Sequence, residues 1–280
     1  MVLHHQAFDF GSKRLIEKIT VKAPFRLSVN FPDEACFIYF EEGTTKVNSP
    51  YEQVAASSGE SVLLKCGNYF ADLQELATKN QYDILVVHLP RTVLKEIYKG
   101  DIPSFTARQE KASFISKINE AAMIREYIKS LNFYFEHPSV VNDELLSLKV
   151  KELVLLLIQT KNAGSVADLF GQLFTSVQID IRQVVEAHIY SGISIEDMAA
   201  LCHLSVSTFK RQFKKLLNDT PASYIKKKRL HKAKELLALS HLTISEIAYQ
   251  TGFIDVAHFS NSFKAAYGCA PSLYRQKIIT

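Results

Sequence analysis

The chain has 280 residues, 47% of them hydrophobic and 22% charged, which is the composition of a folded globular protein and excludes extended disorder. No run approaches the roughly 18–20 apolar residues that a bilayer span requires, and residues 1–10 lack the basic and apolar regions of a secretory signal. The net charge of +4 is uneven: residues 181–280 hold 14 Lys+Arg against 7 Asp+Glu, so a polyanion partner is expected for the C-terminal part alone.

The N-terminal part, 1–165, reads as β-rich over 1–105 and helical over 106–165. Cys36–Phe40, a glycine-containing turn at Gly43, and Thr44–Asn48 give strand, turn, strand. Ser61–Cys66 and Ile84–Leu89 are further strands, punctuated by Gly67 and Pro90. Short strands at this spacing predict a small β-barrel or sandwich. The periodicity then predicts helices over 109–136 and 143–160, separated at Pro138. Leu145, Leu146, Leu148, Leu153, Leu156 and Leu157 put an apolar face on the second helix, of which Leu146, Leu153, Leu156 and Leu157 are the expected dimerisation surface. Lys161–Ser165 breaks the pattern, and a further helix over about 166–189 leads through a 166–180 linker into the last domain, 181–280.

That last domain contains a repeat. Ser194-Ile195-Glu196-Asp197-Met198-Ala199 matches Thr243-Ile244-Ser245-Glu246-Ile247-Ala248 at an offset of 49, while Phe209, Phe213-Lys214, Pro221 and Tyr224 match Phe259, Phe263-Lys264, Pro271 and Tyr274 at an offset of 50. The slip falls where Cys202-His203-Leu204 is set against Thr251-Gly252-Phe253-Ile254, a turn between the paired helices, as two copies of one helical unit require. Ser194 and Thr243 are placed to cap the first helix of each copy, and Ser205 and Asp255 the second. Phe209 and Phe213 share one face of the second helix; Ser207, Thr208, Lys210, Arg211 and Lys214 occupy the other. Two short helices, a tight turn and a basic outer face predict a DNA-binding helix-turn-helix. Arg211 can bond guanine O6 and N7 in pairs, whereas a merely solvated basic face is the plainer reading of such residues taken without the repeat. The second copy offers Val256, Ala257, His258, Ser260 and Asn261, with no arginine. Between the copies, Lys226, Lys227 and Arg229 are expected to hold phosphates on a helix of about 20 residues, about 30 Å long, near the spacing of adjacent major grooves.

At these residues the chain resembles the AraC/XylS family of bacterial transcription regulators. The resemblance rests on Ser205-x-Ser207-x-Phe209-x-Arg211-x-Phe213-Lys214, Pro221-x-x-Tyr224, Arg229-Leu230-x-x-Ala233, and in the second copy Gly252-Phe253, Gly268, Pro271 and Tyr274-Arg275. It implies an α+β protein: a cupin-like N-terminal sensing or dimerisation domain and an all-α domain with two helix-turn-helix units. It further implies an activator acting on double-stranded DNA as a homodimer in the cytoplasm, with RNA polymerase and a small-molecule or protein effector as allowed partners. The spacing of Cys36–Phe70 and Leu148–Leu157 resembles, more faintly, type III secretion activators, whose N-terminal domain answers to another protein; a ligand pocket in the barrel is commoner in the wider family.

Two rivals stand against this reading. A non-specific architectural DNA binder predicts equal affinity for unrelated duplexes. A cupin-type enzyme fused to a DNA-binding domain needs clustered metal ligands, but His4, His5, His88 and Glu60 include no H-x-H pair, and His88 reads as a strand residue with an ordinary hydrogen bond. Cys36 and Cys66 alone do not make the cysteine cluster of a methyl-transfer repair enzyme. Cys36, Cys66, Cys202 and Cys269 contain no C-x-x-C pair, so neither a disulfide framework nor a structural zinc is expected. The expectation is therefore no catalytic residue, no cofactor and no metal.

Overall fold

A computed structural model describes the chain except for residues 32, 75–79, 99–112, 119–120, 160–178, 240–241 and 280. The chain divides into two compact units, 1–178 and 179–280.

The first unit is built on ten strands: β1 Val2–Phe10, β2 Lys13–Lys22, β3 Phe25–Phe31, β4 Glu34–Phe40, β5 Thr45–Asn48, β6 Gln53–Ala56, β7 Glu60–Leu64, β8 Gly67–Leu73, β9 Gln81–Pro90 and β10 Ile115–Ile118. They form a six-stranded sheet in the order β1-β2-β9-β4-β7-β10 and a four-stranded sheet β3-β8-β5-β6. The pairings are antiparallel. Of the two expected architectures it is the sandwich, two sheets not closed into a barrel. Among the described residues three α-helices accompany the strands: α1 Arg91–Ile97, α2 Ala121–Glu136 and α3 Asp143–Gln159.

Side-chain alternation explains the layers. Cys36, Ile38, Phe40, Val62, Leu64, Ile84 and Val86 point from the large sheet toward the small one, where they meet Phe31, Tyr69, Ala71 and Phe114. Phe37, Tyr39, Leu63, Leu85, Val87 and Leu89 point the other way and pack under Leu94, Ile128, Leu131, Leu153 and Leu157 of α1–α3. The central strands β4 and β9 are thus buried on both faces, which is why Cys36–Phe40 and Ile84–Leu89 read as unbroken apolar runs. By contrast β3, at the edge of the small sheet, alternates half-buried and exposed residues.

The expected strand, turn and strand over 36–48 are present, but β4 and β5 do not pair with each other. They lie in different sheets, and Gly43 carries the chain across with φ of 97° against the Tyr82 ring, where a Cβ would stand 2.1 Å from Cδ1. Residues 115–118 are not helical: Ile115–Ile118 pairs with β7, and the Glu52 carboxylate accepts from the Phe114 and Ile115 amides at 2.6 and 2.7 Å. Strong local apolar content hid a strand whose pairing is long-range. Leu146, Leu153 and Leu157 are 2%, 0% and 1% exposed and belong to the core, so they cannot face another subunit. The open face of α3 carries Leu148 and Leu155, 54% and 53% exposed, with Leu156 half-buried beside them. The predicted linker at 161–165 and most of the helix expected over 166–189 lie outside the described residues; a helix is described over Ile181–His188.

Candidate nucleic-acid interface

The second unit contains seven helices among the described residues: α4 Ile181–His188, α5 Ile195–Leu201, α6 Val206–Leu217, α7 Pro221–Leu239, α8 Ile244–Gln250, α9 Val256–Tyr267 and α10 Pro271–Ile279. The repeat read from the sequence is a repeat of structure. Helices α5 and α8 both start with a capping box. Ser194 Oγ accepts from the Asp197 amide while Asp197 accepts from the Ser194 amide, at 3.0 and 3.1 Å. Thr243 and Glu246 do the same at 3.2 and 2.6 Å. Ser205 caps α6 by accepting from the Thr208 amide, and Asp255 caps α9 by accepting from Ala257 and His258.

The turns also correspond. His203 and Gly252 both adopt the left-handed region, with φ of 56° and 82°, so His203 holds the conformation for which the second copy uses glycine. Asn218 and Gly268, ending α6 and α9, pair in the same way at 53° and 81°. Under each second helix sits the same aromatic stack. Phe213 meets Tyr224 with centroids 5.5 Å apart and planes at 72°, and Phe263 meets Tyr274 at 5.4 Å and 72°.

Burying Phe209 and Phe213 turns the opposite face of α6 outward. Ser207, Lys210, Arg211 and Lys214 are exposed there, and none of these three cations forms an ion pair with a described residue. Lys210, Arg211 and Lys214 also border a cleft of about 300 Å³ with Ile195, Thr220, Pro221 and Ala222, at the first turns of α5 and α7. Thr208 is half-buried and its Oγ1 accepts from Ser205 Oγ at 2.9 Å, so it completes the helix cap. Gln212 and Lys215 are exposed as well and were missed by the sequence reading, which followed charge and the family motif and passed over the flanking positions. On α9, Ala257, His258 and Asn261 are exposed, while Val256 and Ser260 are half-buried. Lys264, also exposed, was missed although it matches Lys214 in the repeat.

The residues expected to contact phosphates separate into three kinds. Lys226 is exposed on α7. Lys227 is exposed but pairs with Asp219 at 2.9 Å. Arg229 is not a surface cation: its Nε donates to the Ile189 carbonyl at 2.6 Å and its Nη1 to the Gly252 carbonyl at 2.7 Å. Burial lowers its pKa from the usual arginine value, but the guanidinium stays charged, and its Nε and Nη1 donate to backbone oxygens. The sequence grouped it with its lysine neighbours because a helical run of cations does not reveal which one turns inward.

Comparison with known proteins agrees with both units. A family described as the ExsA N-terminal regulatory domain matches residues 35–169, and a helix-turn-helix domain family matches residues 198–277. The probable transcriptional regulator LumQ of Photobacterium leiognathi is 33% identical over 95 residues, 34% of this chain and 38% of that protein. The regulator ExsA of Pseudomonas aeruginosa is 27% identical over 141 residues, 50% of this chain and 49% of ExsA. The chain thus spans half or less of the length of these two relatives. The virulence regulon transcriptional activator VirF of Yersinia enterocolitica is 24% identical over 223 residues, 78% of this chain and 80% of VirF. Among solved structures, ToxT from Vibrio cholerae covers 93% of this chain and 94% of its own at 16% identity, with a TM-score of 0.38.

Arg229→Ala removes two charge-assisted hydrogen bonds and leaves two carbonyls to find water. It should lower the unfolding free energy of the C-terminal unit by about 1.5–3 kcal/mol, read by urea denaturation of the full chain. A change within 0.5 kcal/mol, the range of an ordinary surface substitution, would show that the strut is dispensable.

Proposed function

The chain belongs to the AraC/XylS family of transcription regulators, and on that premise we propose that it is a sequence-specific DNA-binding activator. The observation that carries this is the doubled helix-turn-helix, with Lys210, Arg211 and Lys214 exposed on α6 and free of carboxylate partners among the described residues. Helix α6 enters one major groove; Arg211 reads a guanine, Ser207 and Lys210 touch neighbouring bases, and Lys214 holds a phosphate. Helix α9 enters the next groove, with Ala257 and Asn261 at bases and Lys264 at the backbone. Lys226 adds a phosphate contact from α7. The rival of a non-specific binder is disfavoured by the asymmetry of the two outer faces, which a purely electrostatic grip does not need.

The N-terminal unit supplies regulation rather than catalysis, since the relatives matched over it are transcription regulators. The layer between its sheets is filled by Phe31, Phe40, Tyr69, Tyr82 and Phe114, all 5% exposed or less. This filling favours an input through the surface, from a protein partner or a second copy, over a small molecule lodged between the sheets. Leu148 and Leu155 lie seven residues apart on one face of α3, the spacing of a helix–helix seam, and we assign homodimerisation to them. No helix among the described residues is long and apolar enough to cross a membrane, and the work of a DNA-binding regulator places it in the cytoplasm.

Selection of bound sequences from random duplexes at physiological salt should enrich a site with two blocks about 10 base pairs apart. Failure to enrich any motif would leave the architectural reading in its place. In the same assay Arg211→Ala should cost roughly 1–3 kcal/mol at one base position and relax preference there, with the second block unchanged; an unaltered preference would remove Arg211 from base reading. For the dimer, Leu148→Glu with Leu155→Glu should lower the dimer fraction in sedimentation without loss of stability. Leu153→Ala, beneath them, should cost about 2–5 kcal/mol of stability. A dimer fraction untouched by the double variant would place self-association elsewhere.

A further inference from the structure

The inter-sheet layer of the N-terminal unit is apolar except at one end, where four functional side chains meet on neighbouring strands. Cys36 on β4 lies directly opposite His88 on β9, and Glu34 precedes Cys36 by two residues on the same face. The Cys36 Sγ and the Glu34 Oε1 both stand 3.4 Å from a single atom, His88 Nδ1. All three potential donor atoms lie within 4.8 Å of one another. One imidazole nitrogen carries at most one proton, so it cannot make a good hydrogen bond to both neighbours at once.

These separations have a meaning for metal coordination. With bonds of about 2.0–2.1 Å to nitrogen or oxygen and about 2.3 Å to sulfur, the edges of a tetrahedral zinc site are about 3.4–3.6 Å. Both edges that meet at His88 Nδ1 have that length. The far nitrogen of the ring is also committed: His88 Nε2 faces Glu17 Oε1 at 3.1 Å. Glu17 is held in turn by His5 at 2.8 Å and Arg14 at 3.1 Å. A carboxylate behind a ligating histidine fixes the ring and its tautomer, which is the usual outer support of a metal-bound imidazole. His88 and Cys36 are buried, and Glu34 is the most open of the three, with 23% of its side chain exposed, so solvent reaches the remaining vertex from its side.

We propose that Glu34, Cys36 and His88 form a binding site for one zinc-class divalent cation, with water as the fourth ligand and Glu17 as the positioning residue behind His88. Thiolate, imidazole and carboxylate together suit Zn(II) and its first-row neighbours, and not Mg(II) or Ca(II), which take oxygen ligands. Ligation needs the thiolate of Cys36 and a bare His88 Nδ1, so any protons on those two atoms leave to solvent as the cation binds. Bound there, it cross-links β4 and β9, the two strands buried on both faces.

The test uses the tag-free full-length chain, stripped with a chelator and titrated with Co(II), then with Zn(II). The expected result is one Co(II) per chain, with a thiolate-to-cobalt charge-transfer band and visible bands of tetrahedral intensity, both erased by Zn(II). Cys36→Ser should abolish the charge-transfer band, and Glu17→Gln should weaken Zn(II) binding roughly 10–100-fold while leaving the band in place at saturation. Cys202→Ser, in the other unit, should change neither. Circular dichroism checks that each variant is folded, and Glu34→Gln, the most exposed ligand, serves as the milder variant: it should weaken binding with the fold intact. Absence of a thiolate band in the wild-type chain, or the same band and affinity in folded Cys36→Ser or Glu34→Gln, overturns the proposal.

Discussion

On the proposed reading, two weak DNA readers become one strong reader only if their separation is fixed, and Arg229 contributes to that constraint. Its guanidinium bonds the carbonyl of Ile189, just after α4, and the carbonyl of Gly252, in the turn of the second helix-turn-helix. The segment after α4, which leads into the first copy, is therefore tied to the turn of the second copy through a residue of α7. Burying a charge is unfavourable unless every donor finds an acceptor, and backbone carbonyls in turns are acceptors that no helix has used. Gly252 serves the strut twice. It adopts a φ of 82°, and a Cβ there would stand 2.9 Å from the guanidinium carbon. The first copy carries His203 at the matching turn, where no such strut presses, so a side chain is tolerated despite a φ of 56°.

The same logic organises the N-terminal unit. Strands β4 and β9 have an apolar layer on each side, the small sheet on one and α1–α3 on the other. Apolar side chains on both faces leave little room for polar ones, so the cluster around His88 sits at the strand ends, where Glu34 is the first residue of β4. Its charges compensate one another: burial pushes the Glu17 carboxyl up, yet His88, His5 and Arg14 together hold it down at about 2.

What the sequence made legible depended on whether the signal was local. The C-terminal unit is made of short helices whose caps, turns and apolar spacing lie within a few residues of each other, and there the N-caps at Ser194, Thr243, Ser205 and Asp255 and the outward face of α6 emerged from local pattern. Position on the chain could not separate Arg229 from Lys226, because which cation turns inward depends on two carbonyls 40 and 23 residues away. Sheet pairing is longer-ranged still. Cys36–Phe40 and Thr45–Asn48 were legible as strands, but their assignment to different sheets follows from β9 and β8, which come later in the chain. Likewise the leucines of α3 were legible as an apolar face, yet its width hid the fact that Leu153 and Leu157 pack inward while Leu148 and Leu155 remain open. His88 looked unremarkable since its partners Glu17, Glu34 and Cys36 are 71, 54 and 52 residues distant.

The two DNA-facing helices differ in a way that gives the strut its purpose. Helix α6 presents Lys210, Arg211, Lys214 and Lys215 and, on the proposed reading, holds a site through charge as well as base contacts. Helix α9 presents Ala257, His258 and Asn261, with Lys264 as its exposed cation, and would bind feebly by itself. Tethering changes this balance, because the second helix searches for its groove at the high effective concentration that a stiff connection sets. A flexible link would spend part of that gain on ordering itself at each binding event. A continuous 19-residue helix braced by Arg229 has little ordering left to do, so even modest contacts from α9 add to affinity and confine the acceptable spacing of the two half-sites. Specificity in this arrangement resides in the distance between two readers as much as in the side chains of either.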